Sequence, residues 1–247
     1  MIVGIIPARY AATRLPGKPL VDLEGQTMIE RVWRAASACA ALDAVIIATD
    51  DERIVAEARR IGAQAVITDP ALPSGTDRCH AVAMTLPIEP KIVINIQGDE
   101  PLLQPDVLAD LVEALDKGTA DVATPVSRIT DWMDLPDPNI VKVALTAEGR
   151  AVYFSRSPIP HQRGASIETW LDHGAYWKHI GIYAYRLDAL KRHVGLLPTR
   201  LEQSEMLEQL RLLSDGATFD CVETSAHYIS VDTPEDADRV RQYLKAL

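Results

Sequence analysis

Cysteine is scarce in this chain: Cys39, Cys79 and Cys221 are odd in number, scattered and free of any Cys-x-x-Cys spacing. No disulfide framework or ligand cluster can be drawn from them, and they read as small buried apolar residues of a reducing compartment. Long apolar runs are missing too. None approaches the roughly 20 residues that a membrane span needs. The apolar start, Met1 to Ile6, has no basic segment before it and runs into Pro7 and Arg9, unlike a secretory leader. Positive charge is also short. A net charge of −10 excludes nucleic acid and anionic membrane as partners, because both need a basic face. Internal repeats, low-complexity tracts and linkers are absent. The expectation is a cytoplasmic protein acting on small molecules. At 247 residues the chain can bury roughly three quarters of its unfolded surface. We expect one α/β domain over residues 1–247, with an inserted lobe at about 128–178.

What is there first is a rhythm. Ile2 to Ile6 and Ala44 to Ala48 are apolar runs of strand length, as strands buried on both faces should be. Between them Thr27 and Glu30 have capping-box spacing ahead of an apolar helical stripe. A second helix, with Ile54, Val55, Ala58 and Ile61, stops at Gly62. Ala65–Ile67 is strand-like, Thr76 opens a third helix, Lys91 to Gln97 is a β-branched strand, and Pro105 starts a helix that Gly118 ends. This βαβα order implies a doubly wound, mostly parallel, Rossmann-like sheet, whose ligands bind beyond the carboxyl ends of the strands. Three loops fall there: Pro7–Leu20, Thr49–Glu52 and Gln97–Leu102. The second half is different. Val141–Leu145 and Ala151–Ser155 read as a hairpin, His179 to Tyr185 as a strand, Ser204 as the cap of one helix running past Leu213, and Thr233 as the cap of the last helix.

Chemistry gathers in those loops. Arg9, Arg14 and Lys18 all precede the first acid, Asp22, and surround Gly17 in a loop that can cradle a polyphosphate. It is not a P-loop. Ala12 stands where the first glycine belongs, and Pro19 where the metal-binding hydroxyl would be. Asp99, in Gln97-Gly98-Asp99-Glu100, ends the most strand-like segment and is placed to hold Mg²⁺ against a phosphate. Asp232, just before the cap Thr233, would complete that site if the fold brings the two together; otherwise it only marks a helix start. Ser74-Gly75-Thr76-Asp77-Arg78 is small enough for a base edge to approach the backbone. Arg156, His179, Tyr183, Glu208 and Gln209 could read the hydroxyls and carboxylate of a sugar acid, although each alone is more simply a structural polar residue.

Taken together, the segments Ile6–Leu20, Ser74–Arg78, Gln97–Pro101, Tyr153–Arg156, His179–Arg186, Met206–Leu210 and Val231–Asp236 resemble the 3-deoxy-manno-octulosonate (Kdo) cytidylyltransferases, a family of sugar nucleotidyltransferases. The resemblance spans nearly the whole chain. It implies a homodimeric, magnesium-dependent enzyme of lipopolysaccharide synthesis that uses CTP and Kdo. By similarity, Arg9 and Lys18 hold the triphosphate, and Ala8, Ser74, Arg78 and Gln97 surround the cytidine. Asp99 and Asp232 hold Mg²⁺, and Arg156, His179, Tyr183, Glu208 and Gln209 line the sugar pocket. Ala12 and the stretch His227-Tyr228-Ile229-Ser230 depart from the family pattern. Rival readings are a cytidylyltransferase for a related acidic sugar such as 8-amino-Kdo, a metal-dependent glycosyltransferase, or a nucleotide-binding regulatory module.

Overall fold

The computed structural model describes residues 1–11, 15–226 and 228–246. The chain divides into two compact units, Met1–Ala109 with Ala226–Leu247, and Asp110–Ser225. The expected lobe at 128–178 falls inside the second of these.

In the first unit, β1 (Ile2–Ala8), β2 (Ala44–Thr49), β3 (Gln64–Ile67) and β4 (Ile92–Asn95) alternate with α1 (Met28–Ser37), α2 (Glu52–Ile61) and α3 (Gly75–Ala83). All pairings are parallel, in the order β3-β2-β1-β4. Val3 to Ile6 and the whole of β4 are buried, which is why both read as unbroken apolar runs. The direction of winding reverses between β1 and β4, and such a switch point opens a crevice beyond the strand ends. Helix α8 (Pro234–Lys245) returns to this unit, packing Ala237 and Val240 against Leu23, Met28 and Val231.

The caps differ in part from the sequence expectation. Thr27 does accept the amide of Glu30, but the Glu30 carboxylate pairs with Arg34 and Arg60, so the reciprocal half of that box is missing. The third helix is capped by Ser74, whose hydroxyl accepts from the amide of Asp77; Thr76 is the second residue of its first turn. At α8 the box is complete, with Thr233 and Asp236 exchanging bonds.

Helix α4 (Pro105–Lys117) carries the division between the units. The second unit is built on β5 (Val122–Arg128), which pairs in parallel with β10 (Phe219–Glu223) and antiparallel with β8 (Trp177–His179) and β9 (Tyr183–Arg186). The hairpin of β6 (Lys142–Leu145) and β7 (Ala151–Ser155) joins through β8. The single strand expected over His179–Tyr185 is thus two strands. Ile180 turns away to donate to the Pro125 carbonyl (3.0 Å), and Ile182 closes a three-residue turn on Ile180 (2.8 Å). Helix α5 (Leu187–Gly195) follows. The one helix expected from Ser204 is also two: α6 (Arg200–Glu205), boxed by Thr199 and Glu202, and α7 (Gln209–Ser214). Met206 separates them at φ 53°, a left-handed conformation costly for a side chain of its size.

Candidate active site

At the β1–β4 switch point lies a cleft of about 190 Å³ lined by Pro7, Ala8, Arg9, Ala11, Lys18, Pro19, Met28, Gln97, Gly98 and Asp99. Two loops make it. The first leaves β1 at Ala8 and is pinched where the amide of Gly17 donates to the carbonyl of Tyr10 (3.1 Å). Gly17 has φ 70°, and a Cβ there would lie 3.1 Å from the Tyr10 hydroxyl, so only glycine lets the loop close on that ring. Arg53, itself forked onto Asp51, stacks 3.2 Å above the Tyr10 ring and ties the loop to α2. The second loop leaves β4 with Gly98, whose absent Cβ would stand 3.1 Å from the Pro7 carbonyl oxygen.

Three groups converge on the cleft. Val231 donates its amide to the Asp99 carbonyl (2.9 Å), which sets the start of α8 beside the β4 loop. Asp236 then accepts from the amides of Asp232 and Thr233 (3.0 and 2.9 Å) and fixes the backbone under Asp232. The Lys18 ammonium donates to both acids, at 2.7 Å to Asp99 Oδ2 and 2.8 Å to Asp232 Oδ1. Burial lowers the affinity of Lys18 for its proton, but the adjacent carboxylates outweigh that and hold its pKa above the ordinary lysine value. Lys18 is therefore charged, and its side chain is only 14% exposed.

The remaining nucleotide candidates are distributed around this core. Ala8 is buried at the end of β1 and Gln97 is half-buried in the β4 loop. Arg9, at the mouth, donates to the Leu72 carbonyl. Ser74 and Gly75 open α3, with Gly75 packed 3.2 Å (from its missing Cβ) to the Pro7 ring. Arg78 has no exposed surface; it pairs with Asp50 at 2.9 Å and with the Thr68 hydroxyl, and its Nε is buried with no hydrogen-bond partner among the described residues. Arg14, like Ala12 and His227, lies outside the described residues.

The sugar candidates all belong to the second unit. His179 ends β8, its ring 4.9 Å from Phe154 and 5.3 Å from Tyr183. The Thr124 hydroxyl sits 2.8 Å from the Ile182 carbonyl and 3.0 Å from His179 Nε2. It has one proton and spends it on the carbonyl, so Nε2 carries the imidazole hydrogen. Burial drives the His179 pKa down to about 3, leaving a neutral ring. Tyr183 is held well above the usual phenol range by burial and then by the charge of Glu208, which places that carboxylate in the same group. Glu208 begins α7 and meets His193 Nε2 at 2.9 Å, while Gln209 is buried with its Nε2 unpartnered. Arg156 is engaged differently: its fork donates to the carbonyls of Glu205 (2.7 Å), Pro138 (2.8 Å) and Met206 (3.3 Å). Sequence reasoning missed His193, which no spacing distinguishes from the rest of its helix. It also gave no role to Asp50, although the Thr49–Glu52 loop was recognised as a strand-end loop.

A switch-point crevice with a cationic β1 loop and carboxylates at the β4 end belongs to the nucleotide-handling α/β proteins. Within that class the chain is a member of the cytidylyltransferase family, whose profile matches residues 3–223. It is 45% identical to the 3-deoxy-manno-octulosonate cytidylyltransferase of Cytophaga hutchinsonii, over 97% of this chain and 96% of that protein. The Myxococcus xanthus protein of the same name is 42% identical over 99% and 96% of the two chains. Among solved structures, a CMP:2-keto-3-deoxy-manno-octonic acid synthetase complexed with CTP superposes with a TM-score of 0.92 at 38% identity, over 99% of this chain and 98% of that one. The 4-diphosphocytidyl-2C-methyl-D-erythritol synthase of Anaerococcus prevotii shares the fold alone, at 14% identity and a TM-score of 0.64.

Proposed function

We propose that the protein transfers CMP from CTP to the anomeric hydroxyl of Kdo, releasing pyrophosphate. The observation that carries this reading is the convergence of Lys18, Asp99 and Asp232 in a cleft walled by Arg9 and Gln97. In-line transfer at a phosphate asks a protein mainly for positioning and charge compensation, and needs no covalent nucleophile. Arg9 and Lys18 take the triphosphate oxygens, with Arg14 as the third cation of the loop. Ala8, Ser74, Gly75 and Gln97 form the cytidine end, with Arg78 not at its surface but buried on Asp50 and Thr68, and Arg156, His179, Tyr183, Glu208 and Gln209 form the sugar pocket. Neutral His179 offers hydrogen-bonding capacity without charge.

The donor set fits a magnesium ion. Asp99 and Asp232 present hard oxygens close enough to share one ammonium. Among the described residues no group of three or more histidine, cysteine or carboxylate side chains is arranged around a metal position. Two carboxylates suit Mg²⁺, which takes few protein ligands and completes its shell with phosphates and water. Bound there, the ion would neutralise phosphate charge and acidify the attacking hydroxyl. No helix among the described residues is long and apolar enough to cross a membrane. A cytoplasmic location, a homodimeric state and a place in lipopolysaccharide synthesis belong to the same proposal.

The test is pyrophosphate release with CTP and magnesium across Kdo, 8-amino-Kdo, N-acetylneuraminate and glucose 1-phosphate, repeated with UTP. Release confined to CTP with Kdo is the expected result. Preference for the amino sugar would move the error to the sugar pocket, and silence across the panel from folded protein would refute the assignment.

A further inference from the structure

The sugar reading gives Glu208 a contact role, and the second unit supplies that carboxylate with a partner of its own. His193 lies in the last turn of α5, with no exposed surface. Its Nε2 is 2.9 Å from Glu208 Oε1, and its Nδ1 is buried with no hydrogen-bond partner among the described residues. The bond spans 15 residues and joins α5 to the start of α7. Glu208 makes no side-chain capping bond at the start of α7. The rings form a continuous series, with centroids 5.3 Å apart for His179–Tyr183, 5.8 Å for Tyr183–Tyr185 and 6.4 Å for Tyr185–His193. His193 closes that series at Glu208.

We propose that His193 is a positioning residue: by donating Nε2–H to Glu208 Oε1 it fixes the carboxylate against which a sugar hydroxyl is read. Three observations support a positioning role over a simple brace between helices. The bond is made to a side chain that is still 34% exposed, whereas the histidine is wholly enclosed. The partner lies on a helix start that follows the left-handed Met206, where the backbone alone does not dictate the side-chain direction. The same carboxylate is close enough to Tyr183 to raise the pKa of its phenol, so a shift of Glu208 is felt by a second pocket residue. A long flexible side chain held by a charge-assisted bond from a rigid donor is a preorganised recognition group. The inference rests on the reading of Glu208 as a sugar contact, and the test separates the two.

Steady-state kinetics of the full-length protein with CTP, Mg²⁺ and Kdo would be compared for His193→Phe, His193→Gln, Glu208→Gln and the Phe/Gln double variant, with a thermal midpoint for each. His193→Phe keeps the ring and loses the donor. It is expected to raise KM for Kdo by about tenfold, the worth of one hydrogen bond to a charged group, and to leave KM for CTP within about twofold. His193→Gln, whose amide can donate near the Nε2 position, should recover most of that loss. The double variant should be no worse for Kdo than Glu208→Gln alone, because residues acting through one another are not additive. If His193→Phe does not fold, His193→Asn, whose shorter amide cannot reach Glu208, supplies the same comparison. An unchanged KM for Kdo in folded His193→Phe or His193→Asn, with a raised one in Glu208→Gln, would overturn the positioning role alone. An unchanged KM in Glu208→Gln would overturn the sugar reading, and this inference with it.

Discussion

Removing Asp50 should damage this protein more than removing the arginine it faces. Arg78 is fully buried, its charge met by Asp50 at 2.9 Å and by the Thr68 hydroxyl, and its Nε has no partner among the described residues. Asp50→Ala leaves a guanidinium that cannot give up its proton in a place that water does not reach. Breaking a buried pair by deleting one partner costs about 3–5 kcal/mol. Because the Asp50 side chain keeps 16% of its exposure, the lower end applies. For a chain of this size, about 3 kcal/mol corresponds to a fall of roughly 6–12 °C in the thermal midpoint.

Arg78→Met removes the charge and keeps most of the volume, leaving Asp50 at a position water does touch, so a cost of about 1–2 kcal/mol is expected. The decisive comparison is the double variant. Deleting both charges removes the uncompensated guanidinium, so Asp50→Ala/Arg78→Met should melt above Asp50→Ala alone. The four tryptophans make the unfolding visible by fluorescence, and circular dichroism melts provide an independent check. An Asp50→Ala midpoint within about 2 °C of the parent, an effect of about 1 kcal/mol or less, would refute the argument, and so would a double variant less stable than the single one. The pair also anchors α3, whose first residue Gly75 sits against Pro7, so a raised KM for CTP should accompany the loss of stability.

Asp99→Asn should lower pyrophosphate release by about 10²-fold or more while the protein stays folded; near-normal turnover would remove Asp99 from the mechanism. Lys18→Met should abolish most turnover and, by freeing Asp99 and Asp232 from their shared ammonium, tighten Mn²⁺ binding in the absence of nucleotide, as read by electron paramagnetic resonance. The buried His179 makes stability pH-dependent. Its folded pKa of about 3 lies below the unfolded value of 6.5, so the unfolded chain takes up the proton first and stability falls as pH drops below about 6.5. The loss should reach about 2 kcal/mol by pH 5, measured by urea unfolding at pH 7 and pH 5, and His179→Gln should flatten it.

The first unit was readable because its strands are buried on both faces and its loops carry their chemistry locally. β1 and β4 are apolar runs, and the loops after them contain Arg9, Lys18, Gln97 and Asp99 in plain view. The second unit was harder for physical reasons. β5 carries Pro125 in its middle and the buried Thr124, whose hydroxyl is tied to the Ile182 carbonyl and to His179. A proline argues against a central strand, and only pairing with β8, β9 and β10 makes this segment one. The break at Met206 has no glycine to announce it. It coincides with a guanidinium from 50 residues away, as Arg156 collects the carbonyls of Glu205 and Met206, and an apolar stripe through Leu207, Leu210 and Leu213 contains no trace of that.

The same limit applies at the heart of the cleft, and there it has a consequence for chemistry. Asp99 and Asp232 could each be recognised as well-placed acids, but their sharing of Lys18 spans 81 and 214 residues and exists only in the fold. That sharing leaves these three groups with one more negative charge than positive. Arg9 stays at the mouth, and the ammonium deeper in is already outweighed by two carboxylates. A triphosphate arriving with several negative charges would meet no net attraction from those three groups, in a protein whose overall charge is −10. Binding it requires either that Lys18 turn from the acids to the phosphates or that further positive charge arrive with the nucleotide. The first step alone would take the Lys18 ammonium away from two carboxylates that face an anion. A nucleotide that brings a divalent cation would meet both demands at once, since Asp99 and Asp232 could hold the ion while Lys18 pairs with the phosphate. If the cleft takes a divalent cation as proposed, metal and nucleotide should enter together, coupled by the charge balance of Lys18, Asp99 and Asp232.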